Sequence, residues 1–90
     1  MRDVVAREKR YVTVISVSDA NGVVTPREII WDDGRRFAVD RVLDCRQAAS
    51  LRAGGCGLRY TVRVGGEARY LYYEDPRWFV EAMVVPMPGA

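Results

Sequence analysis

Few residues in this chain could do chemistry. It has no histidine, so the side chain most used for acid–base work near neutral pH is missing. Its two cysteines, Cys45 and Cys56, fall short of the four Cys or His ligands of a structural zinc site. Cys56 lies in a glycine-rich stretch between Arg52 and Arg59, a setting that lowers a thiol pKa. No second catalytic group accompanies it, and it reads as incidental. Asp32 and Asp33 sit at a turn, and Asp40 and Asp44 flank a bend; aspartates there usually bond local backbone. Nothing gathers carboxylates into a Mg²⁺ site, and Ser50 has no base partner. Arg52 to Gly57, RAGGCG, offers successive backbone N–H groups of the kind that wrap anions. It lacks the GK[ST] ending of a phosphate loop and precedes a strand, so it reads as a plain connection. The expectation is no enzyme, no catalytic residue, no metal and no cofactor.

The cations are distinctive in kind. There are thirteen arginines and one lysine, Lys9, in 90 residues. Arginine offers planar, bidentate and stacking contacts that lysine cannot; the bland source of such a bias is a GC-rich genome. The net charge of +2 does not by itself imply nucleic acid. Apolar residues make up 49% and charged residues 29%, as in a soluble domain with a modest core. The N-terminus, MRDVVAREKRY, has no apolar leader core, and no stretch approaches 18 apolar residues. The thiols are expected to be reduced, the location cytoplasmic, and membrane contact absent.

The elements that must position these residues are strands. The chain is organised around Ile29 to Asp44, IIWDDGRRFAVDRVLD. Asp33-Gly34 suits a two-residue hairpin loop with positive φ at both positions. That register sets Trp31 opposite Arg36, Ile30 opposite Phe37 and Glu28 opposite Val39. Ile30, Phe37 and Val39 then share a core face, and Trp31 with Arg36 forms a cation–π pair or a second buried layer. Val42 and Leu43 are adjacent and both apolar, so the alternation slips, and a bulge or bend is expected near Asp40–Arg41. Earlier, Met1 to Arg10 reads as a loose arm and Tyr11 to Val17 as a β-branched strand. Asp19 to Gly22 is a turn. Pro26 marks a strand entrance or edge before a strand at Arg27 to Trp31. Cys45 to Ser50 continues a strand or forms a short helical turn.

Leu58 to Ala82 reads as a three-stranded meander. Gly65-Gly66 makes one turn and Asp75-Pro76-Arg77-Trp78 a type I turn. Counting across sets Val62 against Arg69, Tyr60 against Leu71, Leu58 against Tyr73 and Tyr73 against Val80. One face gathers Leu58, Tyr60, Val62, Leu71, Tyr73, Trp78 and Val80. The other gathers Arg59, Thr61, Arg63, Tyr70, Tyr72, Phe79 and Glu81. Arginines beside aromatic rings on an outward sheet are what single-stranded nucleic-acid binders use, rings for bases and guanidiniums for phosphates. The plain alternative is sheet packing, cover by the N-terminal arm, or an interface with a protein or second subunit, and a one-residue slip would exchange the faces. The candidate contact residues are Arg59, Arg63, Tyr70, Tyr72 and Phe79, with Trp31 and Arg36.

The stretches IIWDDGRRFAVDRVLD, AASLRAGGCGLRYTVRVGG and YLYYEDPRWFVE resemble a family of small uncharacterised bacterial proteins, some encoded beside Y-family, translesion-type DNA polymerases. The resemblance spans roughly Tyr11 to Glu81. It implies an accessory role in DNA repair or replication, through DNA or through the polymerase, and carries no catalytic residue. The fold expected from the residues is all-β: a small antiparallel barrel or strongly bent sheet of five or six strands, SH3-like in size. It would be one domain at 11–83, an N-terminal arm at 1–10 and a C-terminal tail at 84–90. The function expected is a binding module whose partner is nucleic acid or a DNA polymerase. The alternative is a protein-interaction or self-association module, a homo-oligomer, with no nucleic-acid role.

Overall fold

The computed structural model of the chain describes residues 6–49 and 56–84. Seven antiparallel strands fill them: β1 (Ala6–Ser18), β2 (Val24–Ile30), β3 (Arg36–Ala38), β4 (Arg41–Ala49), β5 (Cys56–Val64), β6 (Glu67–Glu74) and β7 (Arg77–Val84). They form one sheet in the order β3-β2-β1-β7-β6-β5-β4, curled into a half-barrel. Among the described residues no helix is long and apolar enough to cross a membrane.

One long strand, β1, carries the sheet across the bend. β1 pairs with β7 from Ala6 to Val12 and with β2 from Thr13 to Ser18. Its run of β-branched residues suits an extended backbone that serves both neighbours. Residues 6–10 are therefore strand and not a loose arm; residues 1–5 lie outside the described part. The sheet's two edges, β3 and β4, are consecutive in the chain. Between them the N–H of Val39 donates to Arg27 O at 2.9 Å and the N–H of Asp40 to Arg63 O at 2.9 Å. The chain thus passes from β2 to β5 in two residues, which draws the edges toward each other. Across the interior the Tyr60 hydroxyl donates to the Val24 carbonyl, tying β5 to β2.

Two bulges sharpen the bend. Ser16 opposes Pro26 while Ile15 opposes Glu28, so Arg27 is the extra residue on β2. Val42 opposes Val62 while Asp44 opposes Thr61, so Leu43 is the extra residue on β4. That explains the adjacent apolar pair: Val42 packs against the core and Leu43 is left exposed. The irregularity falls two residues after the expected site because the bend at Val39–Asp40 and the bulge at Leu43 are separate features.

The β2–β3 hairpin departs from the expected register by one residue. Ile29 opposes Phe37 and Ile30 opposes Arg36. The loop has three residues, Asp32 to Gly34: Gly34 N–H donates to Trp31 O at 2.9 Å and Trp31 N–H to Arg35 O at 2.8 Å. Only Gly34 has positive φ, +90°, the left-handed residue that three-residue loops need. Asp33 stays right-handed and accepts from Arg35 N at 3.0 Å and Nε at 2.6 Å, bonds that hold its carboxyl below the usual range. Ile29, rather than Ile30, is therefore the buried residue.

Gly65-Gly66 forms the two-residue hairpin between β5 and β6, with positive φ at both glycines. The β5–β6 pairs match the sequence count. β6–β7 does not: Tyr73 opposes Trp78, because the loop is Asp75-Pro76 alone. The offset is two residues, so both faces keep their members. The core is Ile29, Tyr60, Val62, Leu71 and Trp78, flanked by Leu58, Tyr73 and Val80. Val62 and Leu71 are fully buried, each worth roughly 1.5–3 kcal/mol. The RAGGCG loop lies outside the described residues except at Cys56 and Gly57, which begin β5. The expected tail lies outside them from residue 85 onward.

Candidate nucleic-acid interface

The outer face is built by three strands. β5 presents Arg59, Thr61 and Arg63. Across β4 these meet Arg46, Asp44 and Arg41 in turn, and across β6 they meet Tyr72, Tyr70 and Ala68. Directly opposite residues share a face, so four arginines and one carboxylate stand on the β4–β5 ribbon. Two of the cross-strand pairs, Arg41–Arg63 and Arg46–Arg59, are like-charged. Such pairs destabilise a sheet.

The arginines differ in what holds them. Arg46 is bound by Asp44, Nε to Oδ2 at 2.8 Å. Arg41 and Arg63 are exposed and form no ion pair among the described residues. Arg59 is half-buried, with its guanidinium carbon 4.5 Å from the centroid of the Tyr70 ring. Its Nε is shielded from solvent and has no hydrogen-bond acceptor among the described residues. Tyr70 is 53% exposed.

Tyr72 and Phe79 share this face but are not available. They are 5% and 2% exposed and stack on each other with centroids 5.0 Å apart. Tyr11 meets Phe79 edge-on at 5.7 Å, and the Lys9 ammonium lies 4.6 Å from the Phe79 ring. Lys9 also bonds Glu74 at 2.9 Å, which raises its pKa and lowers that of Glu74. The Tyr72 hydroxyl donates to Glu81 Oε1 at 3.0 Å; burial first, then this bond, push its phenol up. β1 crossing beside β7 supplies this lid, so the two rings form a small second core. They are structural here, which corrects their expected role as stacking platforms.

Trp31 and Arg36 are not partners either. With the shifted register, Trp31 packs against the core and has Arg10 at 5.9 Å from its ring. Arg36 points to the other face and pairs with Glu28 at 2.8 Å. Of the seven sequence candidates the structure brings together Arg59, Arg63 and Tyr70 as an accessible group. It adds Arg41 and Arg46, which the sequence count missed. The signal was present in the spacing of β4, but the Leu43 bulge and the 50–55 loop prevented counting across.

No group of three or more His, Cys, Asp or Glu is placed to hold a metal among the described residues. Comparison with protein-family models, with curated proteins and with solved structures finds no match for this chain.

Proposed function

We propose that the chain is a non-catalytic binding module that receives single-stranded nucleic acid on the outer face of β4, β5 and β6. The observation that carries this is the pair of directly opposed arginine couples, Arg41–Arg63 and Arg46–Arg59. Four guanidiniums on one ribbon repel one another when the face is empty, and polyanion phosphates remove that repulsion. From Arg59 to Arg63 the strand advances roughly 13 Å, so the row can meet successive phosphates of one strand. Tyr70 supplies an exposed ring on which a base can stack, worth about 1–3 kcal/mol, and Arg59 fixes the ring from beside it. A single ring cannot specify sequence, so the reading is backbone-driven and sequence-tolerant. On this reading the module does accessory work in DNA repair or replication.

The test is fluorescence anisotropy of a labelled oligothymidylate with the full chain across salt concentrations, beside the Arg41→Gln/Arg63→Gln variant. The expected slope of log affinity against log salt flattens by about 1.4 in the variant, two phosphate contacts at roughly 0.7 each. Flat anisotropy for the folded wild type at low salt, or a slope the variant does not change, overturns the proposal.

A further inference from the structure

The arginine row leaves a second opening unused. β6 and β7 are paired only from Glu74↔Arg77 to Tyr72↔Phe79. Beyond that β7 follows β1 down to Ala6↔Val84, while β6 stays with β5 to Val64↔Glu67. The two strands part. In an antiparallel ladder successive residues turn their N–H and C=O to alternate sides. Val64↔Glu67 closes the two-residue hairpin, so Glu67, Arg69 and Leu71 bond to β5. Ala68 and Tyr70 turn their backbone groups toward the gap, where no strand meets them among the described residues. An unpaired edge of this kind is a template for another extended chain.

The gap leads inward. A cavity of about 550 Å³ opens there, within the range that takes a ligand or inserted side chains. Its inner wall is apolar, with Ile29, Phe37, Val62, Val64, Val80 and Ala82. Its charged lining residues are Arg35, Arg69 and Glu81, a net positive set. Each arginine pairs with a carboxylate two residues away, Asp33 at 2.6 Å and Glu67 at 3.1 Å, and exposed pairs of that kind hold weakly. Arg35 also lies 5.7 Å from the Phe37 ring centroid.

We propose that an extended segment of a partner protein adds as a strand to β6 at Ala68–Tyr70. An apolar side chain of that segment enters the cavity, and acidic residues beside it meet Arg69 and Arg35. Three features converge on this occupant. The free backbone edge supplies ladder bonds, the apolar cavity below it supplies an anchor pocket, and the arginines give the charge sign. Strand addition with pockets for alternate side chains is an established mode of peptide capture. Tyr70 borders both this edge and the arginine row, so a bound segment and a bound nucleic acid meet at that ring.

The test pans a phage-displayed library of random short peptides against the immobilised full chain, then measures an enriched synthetic peptide by anisotropy. Enriched sequences should alternate, with an aromatic or aliphatic residue flanked by Asp or Glu. Ala68→Pro removes one N–H on the free side and leaves the β5 bonds intact, and edge strands tolerate proline. It should weaken the peptide roughly tenfold, about one lost hydrogen bond, with the melting curve unchanged. Ala82→Phe fills the cavity from β7 and should weaken the peptide as much while oligonucleotide binding stays as in wild type. Absence of enrichment, or an enriched peptide indifferent to both variants, overturns the proposal. So does a concentration-dependent dimer that Ala68→Pro dissolves, which would assign the edge to a second copy.

Discussion

Replacing Arg63 by glutamate should make the protein more stable and a poorer binder of nucleic acid. Arg63 is exposed, faces Arg41 directly across β4–β5 and has no carboxylate partner among the described residues. Two unit charges about 6 Å apart in water repel by roughly 0.7 kcal/mol, and like-charged cross-strand pairs cost about 0.2–1 kcal/mol. Arg63→Glu turns repulsion into attraction of similar size, a swing of about 1 kcal/mol. For a domain of this length that raises Tm by roughly 4–8 °C. Arg63→Gln, which only removes the repulsion, should give about half. The assay is thermal melting by circular dichroism at low salt and again at about 1 M salt, where a screening length of ~3 Å erases most of the gain. A Tm that falls, or a rise that salt does not diminish, refutes the electrostatic reasoning. Oligonucleotide affinity should fall in the same variant. A stability gain with no loss of binding would mean that the arginine couple has no anion to meet.

Other expected outcomes follow from the packing. Gly57 lies where an added Cβ would sit 2.6 Å from the Tyr73 carbonyl oxygen; Gly57→Ala must push β5 off β6, at about 1–3 kcal/mol in urea denaturation. Tyr60→Phe leaves the Val24 carbonyl without its donor and should cost about 1–3 kcal/mol by the same assay. Burial, aided by the Cys45 thiol beside it, pushes the Tyr60 phenol up to about 12 from its ordinary 10.0. Its contribution is complete below pH 10 and lost as the pH rises through 12, so late tyrosinate absorbance and loss of sheet signal should coincide there. The Lys9–Glu74 pair has two limits. Glu74 is held below its ordinary 4.5, so its share is complete above that pH and lost as acid carries the pH through the lowered value. Lys9 is raised above 10.5, so its share is complete below 10.5 and lost in stronger base. Thermal stability against pH should therefore be level between about 5 and 10, as linkage requires.

Much of the fold was legible because its signals are local. Gly65-Gly66 fixed the β5–β6 register, and alternation sorted Leu58 through Trp78 correctly onto the inner face. The Asp-Gly turn misled, because two-residue and three-residue loops share that dipeptide. Only the hydrogen bonds of Trp31 show that Asp32 belongs to the loop, and the one-residue difference separated Trp31 from Arg36. The face of β5–β7 was placed correctly and the N-terminal arm was one cover considered for it, but which side chains seal it was not legible. Tyr72 and Phe79 are sealed by Tyr11 and Lys9 from β1, a strand more than sixty residues away in sequence. Arg41 and Arg46 escaped notice because the Leu43 bulge shifts the β4 count by one. The gap between β6 and β7 had no local signal, since it arises from β7 choosing β1 over β6.

The most direct measurement is a heteronuclear correlation spectrum of amides and arginine Nε–H groups, titrated with oligothymidylate at low salt. The arginine row should respond as one patch: the Arg59 Nε–H, shielded and without an acceptor among the described residues, should shift with Arg41, Arg46, Arg63 and Tyr70. Lys9, Trp31 and Arg36 should stay in place. Shifts centred on Trp31 or Arg36, or none at Arg41 and Arg63, would contradict the interface assigned to β4, β5 and β6.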